Sequence, residues 1–171
     1  MIIELLVLRV VHVLGGIFWV GSALFTTLFL APAVMASGPA AGQIFASLQK
    51  RGLMTVLFWG ALLTIASGLR LLWIVSGGFS TAYLETPAGR TFTVAGGAAI
   101  VAFLIAALVS RPAGMRMGRI GAMMATAPAE QRDTLAAEME SLRRRNAMAS
   151  AAVAMLLVLS AAGMAVARYV G

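Results

Sequence analysis

The amino-acid sequence predicts an all-α integral membrane protein, a bundle of four transmembrane helices, and three observations predict it. Of its 171 residues 61% are hydrophobic and only 11% charged, against roughly half and a quarter in a soluble domain. Mean hydropathy is +0.95, which makes hydrocarbon the better solvent for most of the chain. The apolar residues also fall into four runs, each close to the roughly 20 residues with which a helix crosses a bilayer. A chain this short has room for those spans and their connections within a single membrane domain, residues 1–171.

The first span is predicted over 5–31, stopped by Pro32 and followed by Pro39. The second is predicted over 53–75, entered through Lys50, Arg51 and Gly52 and left through Gly77 and Gly78, a glycine pair suited to ending a helix. The connection from Gly77 to Arg90 carries Phe79, Tyr83, Glu85 and Pro87 and has the make-up of a short interfacial helix. A third span is expected over 92–110, ending before Arg111 and Pro112, and a fourth over 147–166, closed by Arg168. Between them lies the longest polar stretch, Arg111 to Asn146. Its first part mixes Met115, Met117, Met123 and Met124 with Arg116 and Arg119, as expected of a segment lying along the lipid surface. In its second part Thr126, Pro128 and Glu130 read as a helix start. Leu135, Met139 and Leu142 then recur at helical spacing, opposed by Glu130, Arg132, Asp133, Glu138 and Glu140. That pattern predicts an amphipathic cytoplasmic helix between spans three and four, running on into the fourth. No internal repeat stands out.

The basic residues set the expected orientation. Lys50 and Arg51 flank the first connection, and Arg111, Arg116, Arg119, Arg132, Arg143, Arg144 and Arg145 lie in the third; the opposite side carries only Arg9, Arg70, Arg90 and Arg168. The positive-inside rule therefore expects both termini outside the cytoplasm, in a membrane of the bacterial inner (cytoplasmic) type. The net charge of +7 is read the same way, as a topology signal and an attraction to the lipid bilayer rather than to nucleic acid. Cysteine is absent, which excludes disulfides, thiolate metal sites and a cysteine nucleophile. The start Ile2-Ile3-Glu4 is no basic n-region and the apolar run after it is too long for a signal-peptide core, so the first span is expected to stay as a membrane helix.

An ionisable side chain inside a membrane costs about 2.5–3.5 kcal/mol on insertion scales and is a functional candidate by default. Glu4, Arg9, His12, Arg70 and Arg168 map to the outer ends of their spans and are expected to converge in one polar cluster, with Glu85 and Arg90 above it. His12 is the single histidine; Trp19 shares its helical face, and Gly15 and Gly16 between them leave a groove for a flat cofactor or a second helix. One reading makes His12 an axial haem ligand with Arg9 and Arg70 on the propionates. The plainer reading makes it a hydrogen-bonding group between helices. Met115, Met117, Met123 and Met124 suit copper(I), or simply lipid-facing filler. Trp73 suits an aromatic belt, while Trp59 falls nearer the inner end of its span. No carboxylate falls in mid-span, where a transporter or proton pump needs one. The hydroxyls of Ser22, Thr26, Thr27, Thr55, Thr64 and Ser67 are expected to bond to their own helices. Small residues at Ala147, Ala151, Ala154, Ala161 and Ala165 form a smooth stripe on span four, as Gly96, Gly97, Ala98 and Ala99 do on span three, fit for close packing in the bundle and against other membrane subunits.

The segment Val11-His12-Val13-Leu14-Gly15-Gly16-Ile17-Phe18-Trp19-Val20-Gly21, followed by Ala31-Pro32-Ala33, resembles the first helix of the copper-resistance D group of bacterial membrane proteins and of their four-span relatives. It also looks like the opening helix of the four-helix protoporphyrinogen oxidases, with Ser67-Gly68-Leu69-Arg70-Leu71-Leu72-Trp73 as weaker support. The resemblance covers about the first third of the chain, and it implies a four-helix fold with His12 at the position for haem b or copper. The chain departs from that pattern in having no second histidine, no cysteine and no intramembrane lysine. The expected function is that of a non-catalytic accessory or structural subunit packing in an energy-transducing membrane complex, respiratory or photosynthetic. The alternative is a haem b- or copper-binding redox protein, with His12 as the metal ligand and Arg9, Arg70 and Trp19 around the cofactor.

Overall fold

The computed structural model describes residues 2–38 and 41–170, without the side chains at 42 and 45. Pro39, expected just after the first span, lies outside that range. Six helices follow one another among the described residues: α1 (Ile2–Ala36), α2 (Ala41–Lys50), α3 (Leu53–Val75), α4 (Thr81–Leu84), α5 (Pro87–Met124) and α6 (Ala129–Tyr169). Among the described residues there is no strand. Four of the six, α1, α3, α5 and α6, are long and apolar enough to cross a membrane. The chain is an all-α, multi-pass membrane bundle. α1 pairs antiparallel with α3 and α5 with α6, and the two pairs share a core of Trp19, Ala61, Ala99, Ala102, Val153 and Leu157. Half of that core is alanine, which lets backbones approach closely where lipid supplies no hydrophobic drive for helix association.

Several boundaries differ from the sequence expectation. Pro32 does not stop the first span at Ala31, because α1 widens into a π turn over Thr26–Leu30, in which the Ala31 N–H bonds the Thr26 carbonyl. The wider turn makes room for a ring that otherwise collides with the carbonyl four residues earlier. The same device recurs in α5: a π turn over Ala106–Ser110, with the Arg111 N–H on the Ala106 carbonyl, carries the helix past Pro112. The third span, expected over 92–110, is therefore part of a helix that continues to Met124. It also begins earlier, at Pro87, since Thr86 Oγ1 accepts the Gly89 N–H at 3.0 Å and the proline takes the first helical position, where no N–H is needed. The fourth, expected over 147–166, is the apolar part of α6. α2 was not anticipated; Gln49 Nε2 ties it to the Gly114 carbonyl of α5 at 3.4 Å.

The Arg111–Met124 stretch continues α5 as helix and has a protein partner. It packs against the beginning of α6, burying Ile120, Ala127 and Leu135 beneath Met124, Met139 and Leu142. Since about 20 residues suffice to cross, the 38 residues of α5 and the 41 through the end of α6 carry both helices beyond their apolar runs, as a hairpin projecting at the arginine-rich end. At the other end, Gly77 and Gly78 close α3 as expected, with φ of 64° and 87°. Their N–H groups reach the carbonyls of Ile74 at 3.3 Å and Trp73 at 2.9 Å, which satisfies two of the orphan acceptors at the end of the helix.

Candidate functional site

The seam between α1 and α3 is built from small residues spaced four apart on α3. Gly60, Thr64 and Gly68 meet Phe18, Gly15 and His12 respectively. A methyl group at Gly68 would stand 2.6 Å from His12 Cε1, one at Gly15 would stand 2.5 Å from Thr64 Oγ1, and one at Gly60 would stand 3.2 Å from the Phe18 ring. Each glycine therefore admits one side chain of the partner helix. This Gly-x3-Thr-x3-Gly ridge was not foreseen, although its four-residue spacing is the signal of a close helix contact in a membrane.

His12 is half-buried in that seam, with Nδ1 2.8 Å from the Thr64 carbonyl. A carbonyl only accepts, so Nδ1 carries a proton and donates it to this bond. The hydroxyls beside it turn to their own helix, Thr64 Oγ1 donating to the Gly60 carbonyl at 2.8 Å and Ser67 Oγ to that of Leu63 at 2.7 Å. Gly15 and Gly16, expected to leave a groove, are both met by Thr64. The occupant of the groove is α3.

The expected polar cluster forms in part. Arg70 donates from Nη2 and Nε to Glu4 Oε1 at 2.6 and 3.0 Å, locking the start of α1 to the end of α3. Arg9, Glu85, Arg90 and Arg168 are exposed and, among the described residues, make no ion pair. Arg9 instead borders a 260 Å³ surface depression with Val10, Val13 and Leu14. Trp19, only 5% exposed, belongs to the core, edge-on to Phe103 with ring centres 6.4 Å apart.

No family model, curated protein or solved structure matches this chain. Its function has to be read from its own residues.

A second polar region lies at the arginine-rich end. Phe103 meets Phe58 at a tilt of 39° with ring centres 5.4 Å apart, and the Arg111 guanidinium sits 5.2 Å from the centre of the Phe58 ring. An aromatic row thus leads from Trp19 in the core to a cation at the end of the span. Beside it is a 220 Å³ depression lined by Gln49, Met54, Thr55, Arg111 and Met115. Farther out, Arg116 grips Glu138 with Nε at 2.7 Å and Nη2 at 3.1 Å, one nitrogen to each carboxylate oxygen. That hydrogen bond and the adjacent positive charge hold the Glu138 carboxyl below its ordinary range and raise Arg116 in turn. Arg144 bonds Glu140 one turn away at 3.0 Å, and Arg132 Nε donates to the Ala127 carbonyl at 3.0 Å, fastening the turn between α5 and α6. Both depressions are smaller than the about 300 Å³ at which small-molecule clefts begin. Among the described residues no three His, Asp or Glu side chains gather around a common point.

Proposed function

We propose that this protein is a non-catalytic subunit of a bacterial inner membrane, with both termini outside the cytoplasm, that packs laterally against other subunits of a respiratory or photosynthetic complex. The supporting observation is the small-residue stripe of α6. The bundle uses Ala154, which is buried, and leaves Ala147, Ala151, Ala161 and Ala165 exposed on the lateral surface. In hydrocarbon, small residues facing outward favour another helix, which gains close packing there, over lipid tails, which gain little. Three of the ionisable groups of the spans are spent on structure: His12 on α3, and Glu4 on Arg70. Single cysteines in this cysteine-free chain test the proposal. Ala151→Cys and Ala161→Cys are expected to crosslink to a neighbouring subunit in native membranes, and Val94→Cys, on α5, is expected not to. Crosslinks from none of them, together with a lone protein in every mild detergent, would defeat the reading.

A second reading keeps His12 as a haem ligand, in line with the resemblance of α1 to the copper-resistance D group and the four-helix protoporphyrinogen oxidases. It is favoured by the Nδ1–carbonyl bond, which orients metal-binding histidines and leaves Nε2 free to ligate. An optical spectrum of protein from haem-replete cells decides it. A Soret band lost in His12→Ala supports the haem reading, and a colourless preparation removes it. Metal analysis of the same sample tests copper.

A further inference from the structure

We propose that the depression beside Arg111 is a binding site for the headgroup of an anionic phospholipid, with one lipid seated between α2, α3 and α5. Three features converge there. First is an unneutralised cation. In the projecting hairpin Glu138 is engaged by Arg116 and Glu140 by Arg144, and among the described residues neither Glu130, Asp133 nor any other carboxylate stands within ion-pair reach of Arg111. Its guanidinium is held over Phe58, and that contact leaves the edge of the fork, with its in-plane donors, for an acceptor.

The second feature is the lining. Of the five residues around the 220 Å³ space, Arg111, Gln49 and Thr55 bring hydrogen-bonding groups, and Met54 and Met115 bring flexible apolar walls. This is the make-up of a phosphate with glycerol and acyl carbons attached. The third is position. Thr55 lies in the first turn of α3 and Arg111 just after the π turn of α5, where the apolar runs give way to charge. That is headgroup depth. Lys50 and Arg51 stand beside the same turn, so the local field favours a lipid of net negative charge over a zwitterionic one. Basic pockets between membrane helices at this depth suit anionic headgroups.

Native mass spectrometry of the whole protein in mild detergent tests this, with dioleoylphosphatidylglycerol, dioleoylphosphatidylcholine and inorganic phosphate added in separate titrations. The expected result is one tightly held phosphatidylglycerol, preferred over phosphatidylcholine, and no competition from millimolar phosphate. Arg111→Gln is expected to weaken that first event about tenfold, the loss of one charge-assisted hydrogen bond, and Arg145→Gln to leave it unchanged. If Arg111→Gln fails to fold, Thr55→Val with Gln49→Ala reads the same site and is expected to weaken binding severalfold. Equal binding of the two lipids overturns the proposal. So does equal weakening by Arg145→Gln, which marks a diffuse basic surface, or displacement by phosphate alone, which marks an anion site.

Discussion

At the scale of single residues, the α1–α3 seam depends on which positions lack a side chain. Gly68 admits the His12 ring, and a methyl group 2.6 Å from Cε1 would push the imidazole off the Thr64 carbonyl. Gly68→Ala is therefore expected to destabilise the bundle by about 1–3 kcal/mol, the usual range for overpacking, even though alanine is the better helix former. Gly21 has no heavy atom within 4 Å of where its methyl would be, so Gly21→Ala should be neutral or stabilising, by up to about 1 kcal/mol. Reversible unfolding in detergent measures both, and similar values for the two would refute the seam as described. His12 itself was legible as the residue to watch, being the single histidine. Its partner was not, because a backbone carbonyl on another helix leaves no mark in the sequence.

At the scale of elements, the projecting hairpin has a core of its own. Ile120 is fully buried there, and Ile120→Ala should cost about 2–5 kcal/mol locally, seen as lost amide-exchange protection from Ile120 to Leu142 while the spans stay protected. The Arg116–Glu138 pair adds a pH dependence of known sign. Because the Glu138 carboxyl is held below its ordinary range, its contribution is complete above that range and is lost as pH falls through the lower folded value. Both partners are well exposed, so the effect is modest. Exchange protection of the hairpin should stay level from pH 7 to about 5 and fall in stronger acid, and Glu138→Gln should flatten that profile. The second half of this hairpin was readable from Leu135, Met139 and Leu142 at helical spacing. The first half was misjudged, since Arg-Pro reads locally as a helix stop and only the π turn before it lets α5 continue.

At the scale of the whole molecule, the two helix pairs are built alike. In each, a π turn precedes a proline, at Pro32 and at Pro112, and a tight contact lies equally far before it, Gly15 against Thr64 and Ala95 against Gly163. The likeness is one of shape, which is why no repeat shows in the residues. Orientation is testable at this scale too. Thr86→Cys is expected to react with a membrane-impermeant maleimide in intact cells, and Ser141→Cys only after permeabilisation; the reverse pattern would invert the proposed topology. From the sequence alone came the solvent and the number of spanning helices, because hydropathy acts on each segment separately and survives without knowledge of its neighbours. The tertiary structure alone decided which faces meet, that α3 fills the groove beside His12, and that two prolines pass inside continuous helices. Those outcomes depend on the shape of a second helix, and local preference carries no record of it.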